Sequence, residues 1–229
     1  MPHYYDDAHF QVLKNSAKLG SWREQTPAAW AKVVGIDDLS PRVADTVITR
    51  SFLKDASAQD AISDRDLLWG ILAWGGMRRD AARRLKENEA LWVRAVHRLR
   101  HDGLTRGESY TLCSALANQF KAGGIGPAYF TKLIFFANPR HDGYIMDQWT
   151  SRSLNLLVRG APVVKMRTQD HVDPRNDATV YETFCRIVED LSKKLGFDNA
   201  EVMEQCLFST GGAKPDDWRR YVKGNGSAA

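Results

Sequence analysis

Cysteine is scarce in this chain, with three among 229 residues. Cys113, Cys185 and Cys206 stand far apart and form no CxxC pair, which excludes the usual zinc and iron–sulfur spacings. Each falls in an apolar helical stretch, so buried free thiols are expected and no metal site is predicted. Long hydrophobic runs are also missing. No stretch of about 18 apolar residues occurs, so no spanning helix and no membrane partner are expected. The start, Met1-Pro2-His3-Tyr4-Tyr5-Asp6-Asp7, has neither a basic n-region nor an apolar h-region, which predicts no secretory leader and a cytoplasmic location. Strand-like alternation and internal repeats are lacking too. Charge of one sign is only mildly in excess, at +4, with a pI near 9.0. That balance is compatible with a phosphate-binding face and does not by itself establish one.

What remains is helical. Hydrophobic residues make up 43% of the chain, enough for a packed core in one globular unit or in two lobes. Thr26-Pro27 and Ser40-Pro41 each read as an N-cap followed by proline at the first helical position. Asp64 to Trp74 carries Leu67, Leu68, Ile71 and Leu72 at helical spacing and stops at Gly75-Gly76. Helices are predicted over 77–86, 88–101, 108–121, 127–137, 148–158, 178–195 and 198–209. Residues 161–177 are polar and read as a long loop, and 224–229 as a flexible tail. The fold class predicted is all-α.

Gly124-Ile125-Gly126 separates two of these helices. Glycines allow a tight turn and a close backbone approach to a phosphate. The helix that starts there turns its free N–H groups and positive dipole end toward an anion. For a bare Gly-x-Gly an ordinary interhelical turn is the plainer account. Asp147 follows in Tyr144-Ile145-Met146-Asp147-Gln148-Trp149, at the start of the next helix. It reads as an N-cap, as a catalytic acid, or as both.

The spacing from Gly126 to Asp147, and from Asp147 to Arg152, resembles the helix-hairpin-helix DNA glycosylase superfamily. In that superfamily a Gly-x-Gly hairpin precedes the catalytic aspartate by about 20 residues, often with an arginine five positions beyond it. Leu207-Phe208-Ser209 is similar to the 8-oxoguanine DNA glycosylase branch. Residues 108–158 carry most of the likeness and 198–210 a further part. The resemblance implies a two-lobed all-α architecture in a single module of residues 1–223. About 60–160 would form the hairpin lobe, and about 1–59 with 161–223 the second lobe.

It also implies an enzyme that flips a damaged or modified base out of double-stranded DNA and cleaves its N-glycosidic bond. Asp147 would stabilise the oxocarbenium charge at C1′ and orient or deprotonate the nucleophile. Gly124, Ile125 and Gly126 would meet DNA, and Arg152 would either contact DNA or brace the loop that carries the acid. Met77 or Arg78 would fill the gap left by the base, the alternative being a plain interhelical loop. No cofactor is implied, and a monomer is expected.

Bifunctional members place a nucleophilic lysine two residues after the second glycine. Ala128 stands there, and Lys132 lies one turn later on the same face. Three readings stay open: hydrolysis led by Asp147 alone, a lyase in which Lys132 replaces the missing lysine, or a Lys132 that snorkels or pairs with an acid. In the 8-oxoguanine branch the phenylalanine stacks on the base, and a glutamine four residues earlier reads its edge. Here these become Phe208 and Glu204, with Ala128 and Trp149 as further pocket candidates. An ionised Glu204 only accepts, so it suits the N4 amine of cytosine or N1–H and N2–H of guanine. A core Phe208 with a solvated Glu204 is the plainer alternative. The substrate classes left open are oxidised guanine, in repair, and a hypermodified cytosine such as glucosylated hydroxymethylcytosine of phage DNA, in antiviral defence. The competing class is a non-catalytic helix-hairpin-helix module that binds DNA. A third possibility is a helical interaction protein with a chance Gly-x-Gly.

Overall fold

The computed structural model describes residues 5–19, 26–119, 125–209 and 215–226. Thirteen helices and one pair of short strands occur among them, and the fold is all-α. None of these helices is long and apolar enough to cross a membrane. The chain divides into two compact units, Met1–Trp22 with Tyr144–Ala229, and Arg23–Gly143.

Helix α1 (Asp7–Ser16) begins the first-named unit, capped by Asp6, whose carboxylate accepts the N–H groups of Ala8 and His9. The Arg23–Gly143 unit follows with α2 (Ala28–Val34), α3 (Pro41–Ala44), α4 (Arg50–Ala58), α5 (Asp64–Trp74), α6 (Arg79–Lys86), α7 (Glu89–His101), α8 (Arg106–Gln119) and α9 (Pro127–Ala137). Helix α9 is the axis of this unit, since α4, α5, α7 and α8 all pack against it. Its sequence explains why. Phe130, Leu133, Ile134, Phe135 and Phe136 cover more than one face and are all buried, as expected for a helix apolar nearly all round. Pro127 sits at its first turn, and Asn138-Pro139 ends it. Helix α5 is equally apolar. Ser63 caps it by accepting from the Asp66 N–H, and Gly76 turns the chain out at φ 64°, a left-handed conformation that favours glycine.

Residues 144–160, expected in the hairpin lobe, group with the C-terminal helices, and residues 23–59, expected with those helices, do not. The latter belong instead with the middle ones, because α2 packs on α5 and α6, α3 on α5, and α4 on α5 and α9. These contacts bury Ala31, Val34, Val43 and Leu53.

The other unit resumes with α10 (Gln148–Leu157), the antiparallel pair β1 (Met166–Thr168) and β2 (His171–Val172), α11 (Ala178–Leu195), α12 (Ala200–Phe208) and α13 (Asp217–Asn225). Helix α11 buries Tyr181, Phe184, Cys185, Val188 and Leu191 at helical spacing. It ends at Gly196 in the left-handed region. Two features here were not read from the sequence. The strands inside the 161–177 loop are two and three residues long, too short to alternate visibly. Helix α13 extends through Gly224 and Asn225, which were expected in the tail. Asp216 caps it through the Arg219 N–H, and Trp218 and Val222 anchor it in the core. A glycine inside its last turn hides that helical pattern. The three cysteines are buried free thiols. Burial pushes Cys113 up to about 12 and Cys206 up to about 11.

Candidate functional site

Asp147 is held by the helix it begins. Its Oδ1 accepts the N–H groups of Trp149 (2.8 Å) and Thr150 (3.0 Å). Thr150 Oγ1 accepts the Asp147 N–H at 3.0 Å in return, completing a capping box. The same hydroxyl donates to the Ile145 carbonyl at 2.7 Å, pinning the approach to the helix. Asp147 is thus 7% exposed. Among the described residues its Oδ2 accepts no hydrogen bond. One oxygen fixes the carboxylate, and the other is not used by the cap.

Two guanidinium groups and two rings pack together in the same unit, and one of the guanidinium groups, Arg219, is near enough to feel the Asp147 charge. Arg152, one turn into α10, places Cζ 4.8 Å from the Trp149 ring centroid. Arg219 of α13 lies 3.8 Å from the same centroid and 4.9 Å from that of Phe208. It also donates to the carbonyls of Phe208 and Ser209, the latter at 2.9 Å. Both arginines are more than nine-tenths buried, and neither Nε finds an acceptor. Burial lowers the Arg219 pKa to about 10. The negative charges of Asp147 and Asp216 pull it back up, and Arg152 pushes it down.

Phe208 and Glu204 share one face of α12, a turn apart. Phe208 is half-buried, and Glu204 is wholly buried rather than a solvated surface residue. Ser209, just past the helix, holds φ 61° and ψ 167°, a region almost reserved for glycine. Its hydroxyl bonds to Asp216 Oδ1 and its carbonyl to Arg219. The end of α12 is also tied to α10, where Ser153 Oγ donates to the Leu207 carbonyl at 2.8 Å. Asp147, Trp149, Arg152, Glu204 and Phe208 therefore belong to one packed assembly of α10, α12 and α13. Arg219 is its missed member. Only the apolar spacing of Trp218 and Val222 could have signalled the helix that carries it.

The hairpin lies in the Arg23–Gly143 unit, at the start of α9. Gly124 falls outside the described residues. Ile125 is buried. Gly126 is the N-cap, and no side chain caps this helix end. Its φ of −107° and ψ of −176° suit any residue, and a Cβ placed on it would meet nothing within 4 Å. Nothing inside the described chain asks for glycine there.

A family model described as "Putative 8-oxoguanine DNA glycosylase OGG-like protein" matches residues 14–208. The chain belongs to this family. No curated protein and no solved structure matches it. The matched residues of this OGG-like glycosylase include the hairpin, Asp147, Glu204 and Phe208, whereas Arg219 lies beyond them.

The remaining candidates lie in the hairpin's unit. Lys132 is 6% exposed. Its Nζ donates to the Ala128 carbonyl at 2.7 Å and lies 5.5 Å from the Tyr129 centroid. Its stem crosses the end of α5, where a Cβ on Gly75 would come within 2.7 Å of Lys132 Cδ. Ala128 is half-buried. Of the two wedge candidates, Met77 is a core residue at 2% exposure, and its carbonyl accepts from Trp30 Nε1 at 2.9 Å. Arg78 is outside, paired with Asp80 at 3.1 Å. The Arg78 N–H donates to Tyr129 Oη at 3.3 Å, which links this loop to α9.

Proposed function

We propose that this OGG-like protein is a monofunctional DNA glycosylase that flips a modified base from duplex DNA and hydrolyses its N-glycosidic bond. The observation that carries this reading is the division of labour within the Asp147 carboxylate. Oδ1 is committed to two helix N–H groups, so the group cannot swing away. Oδ2 is left to face the cationic C1′ that develops as the bond breaks, or a water attacking it. A pre-oriented charge costs no reorganisation during the reaction. The uncapped start of α9, behind an unobstructed Gly126, serves as the phosphate grip. That grip positions the duplex without reading its sequence.

Lys132 supports hydrolysis rather than Schiff-base chemistry. Its ammonium already donates to a backbone carbonyl, and a nucleophilic amine must lose its proton and present a lone pair. Arg78, the exposed neighbour of the buried Met77, fills the gap left by the base in this reading.

Phe208 stacks on the extruded base and Glu204 accepts from its edge. A buried acceptor favours cytosine N4–H₂ or guanine N1–H and N2–H over thymine or uracil. Two substrate classes fit. One is an oxidised guanine, as the family description suggests. The other is a hypermodified cytosine, such as a glucosylated hydroxymethylcytosine, whose excision would disable phage DNA.

The test is a panel of duplexes carrying each modified base, scored for abasic sites with wild type and Asp147→Asn. Release of one class by wild type alone is expected. Equal release by both proteins overturns the role of Asp147. Salt-dependent DNA binding with no release from any duplex leaves a non-catalytic binding module. Borohydride trapping of a covalent adduct would overturn the monofunctional assignment.

A further inference from the structure

Outside the residues assigned to DNA, the Arg23–Gly143 unit gathers two histidines and two aspartates where α5 begins and α7 ends. His97 and His101 are one turn apart on α7, with ring centroids 4.6 Å apart. Asp64 opens α5, and its Oδ2 lies 2.9 Å from His97 Nδ1. One ligand atom from each of Asp64, His97 and His101 falls within 4.8 Å of the others. Asp60 Oδ1 is 3.8 Å from His101 Nε2.

We propose that this cluster binds a divalent transition-metal ion of the zinc or nickel type. His97 and His101 supply nitrogen, Asp64 supplies oxygen, and Asp60 or water completes the shell. Metal–nitrogen and metal–oxygen bonds of about 2.0–2.2 Å in a tetrahedron put ligand atoms roughly 3.3–3.6 Å apart. The observed separations bracket that spacing, so side-chain adjustment suffices and no backbone shift is needed. Imidazole with a single carboxylate is a donor set for zinc, nickel or copper. Magnesium and calcium ask for oxygen shells.

Three further features fit an ion here. Arg100, whose side chain is 4% exposed, donates to Asp64 Oδ1 at 2.5 Å and leaves Oδ2 turned to the histidines. A ligating carboxylate held by an outer hydrogen bond is the usual second-shell arrangement. Arg100 is itself fixed by the Ser57 carbonyl at 3.0 Å and by Asp60. Two carboxylates face one guanidinium, so the pocket keeps negative charge when the imidazoles are neutral. His101 ends α7, where the negative pole of the helix favours a cation. Bound metal would clamp α5 to α7, a structural role separate from base excision.

The test uses tag-free, chelator-treated protein in mildly alkaline buffer. Zinc binding is measured by titration calorimetry, and thermal unfolding is followed with and without zinc. One equivalent is expected to bind, with a midpoint raised by roughly 5 °C or more at zinc about a hundredfold above Kd. His97→Ala and His101→Ala alter side chains that are 60% and 37% exposed, so the fold should survive. Each should weaken binding by about tenfold or more, and the double variant should abolish both heat and midpoint shift. Magnesium in excess should not compete. A wild type that takes up no zinc at millimolar concentration overturns the proposal. So does equal uptake by the double variant.

Discussion

Replacing Asp147 with asparagine separates the cap that its carboxylate makes from the catalysis proposed for it. The structural job is the cap, in which Oδ1 accepts from Trp149 N and Thr150 N. An asparagine carbonyl can accept the same bonds, and asparagine ranks with aspartate as an N-cap. What the substitution loses is charge. A negative charge at a helix start contributes about 0.3–1 kcal/mol, and here it also offsets the buried Arg219. Asp147→Asn should therefore destabilise by about 1 kcal/mol, a fall in midpoint of about 2–4 °C for a chain of this size. Asp147→Ala should cost about 0.5–2 kcal/mol more, because the cap goes as well.

The catalytic job scales differently. Removing one oriented group that stabilises transition-state charge costs about 100-fold to 1,000-fold in rate, or about 3–4 kcal/mol of activation free energy. Abasic-site release under single-turnover conditions, beside calorimetric unfolding of the same preparations, reads both quantities. Both variants should be nearly inactive at temperatures where each is fully folded, and only the alanine protein should lose the second increment of stability. An asparagine variant that keeps its rate would refute the catalytic argument. An activity loss that merely follows the unfolded fraction would refute it too.

Arg219→Lys should cost about 1–3 kcal/mol, since one ammonium cannot reach both terminal carbonyls of α12 while lying flat on Trp149. An unchanged urea midpoint would count against that bridge. Gly75→Ala should destabilise by about 1–3 kcal/mol through overlap with the Lys132 stem. The loss should largely vanish in a Lys132→Ala background, and a double-mutant cycle with no coupling would dismiss the contact. Hydrogen bonds from Arg175 hold the Asp173 carboxyl down at about 2. A carboxyl depressed in the folded state stabilises above its unfolded pKa, and that contribution fades as pH falls from about 4 to about 2. Asp173→Asn should flatten this part of the acid-unfolding curve, and an unchanged curve would remove Asp173 from the account.

Helices were legible where punctuation and apolar spacing agree. Asp64–Trp74, Pro127–Ala137 and Ala178–Leu195 begin and end at caps, prolines or glycines visible in the chain. The last helix was not, because Gly224 breaks its pattern before its final residue, and with it went Arg219. Grouping of helices was the least legible feature. Residues 23–59 join the middle helices through side chains such as Val43 and Leu53, and nothing local says which distant face they will meet. In the site, residue types and spacing singled out Asp147, Glu204 and Phe208. Burial could not be read the same way: Met77 looked as available as Arg78, and Glu204 as likely to be solvated as enclosed.

A capping position is a physically sound place for a catalytic carboxylate, and this site shows why. An aspartate in mid-helix would project on a side chain free to choose rotamers, and ordering it during reaction would add to the barrier. At the N-cap the backbone performs that ordering during folding, through Oδ1, Thr150 and the Ile145 carbonyl. Burial then strengthens the field of the remaining oxygen. The negative charge of Asp147 in turn favours the charged form of the buried Arg219. Among the described residues the Nε groups of Arg152 and Arg219 meet no acceptor. Two buried donors without acceptors are a cost that the packing of both arginines on Trp149 has to offset.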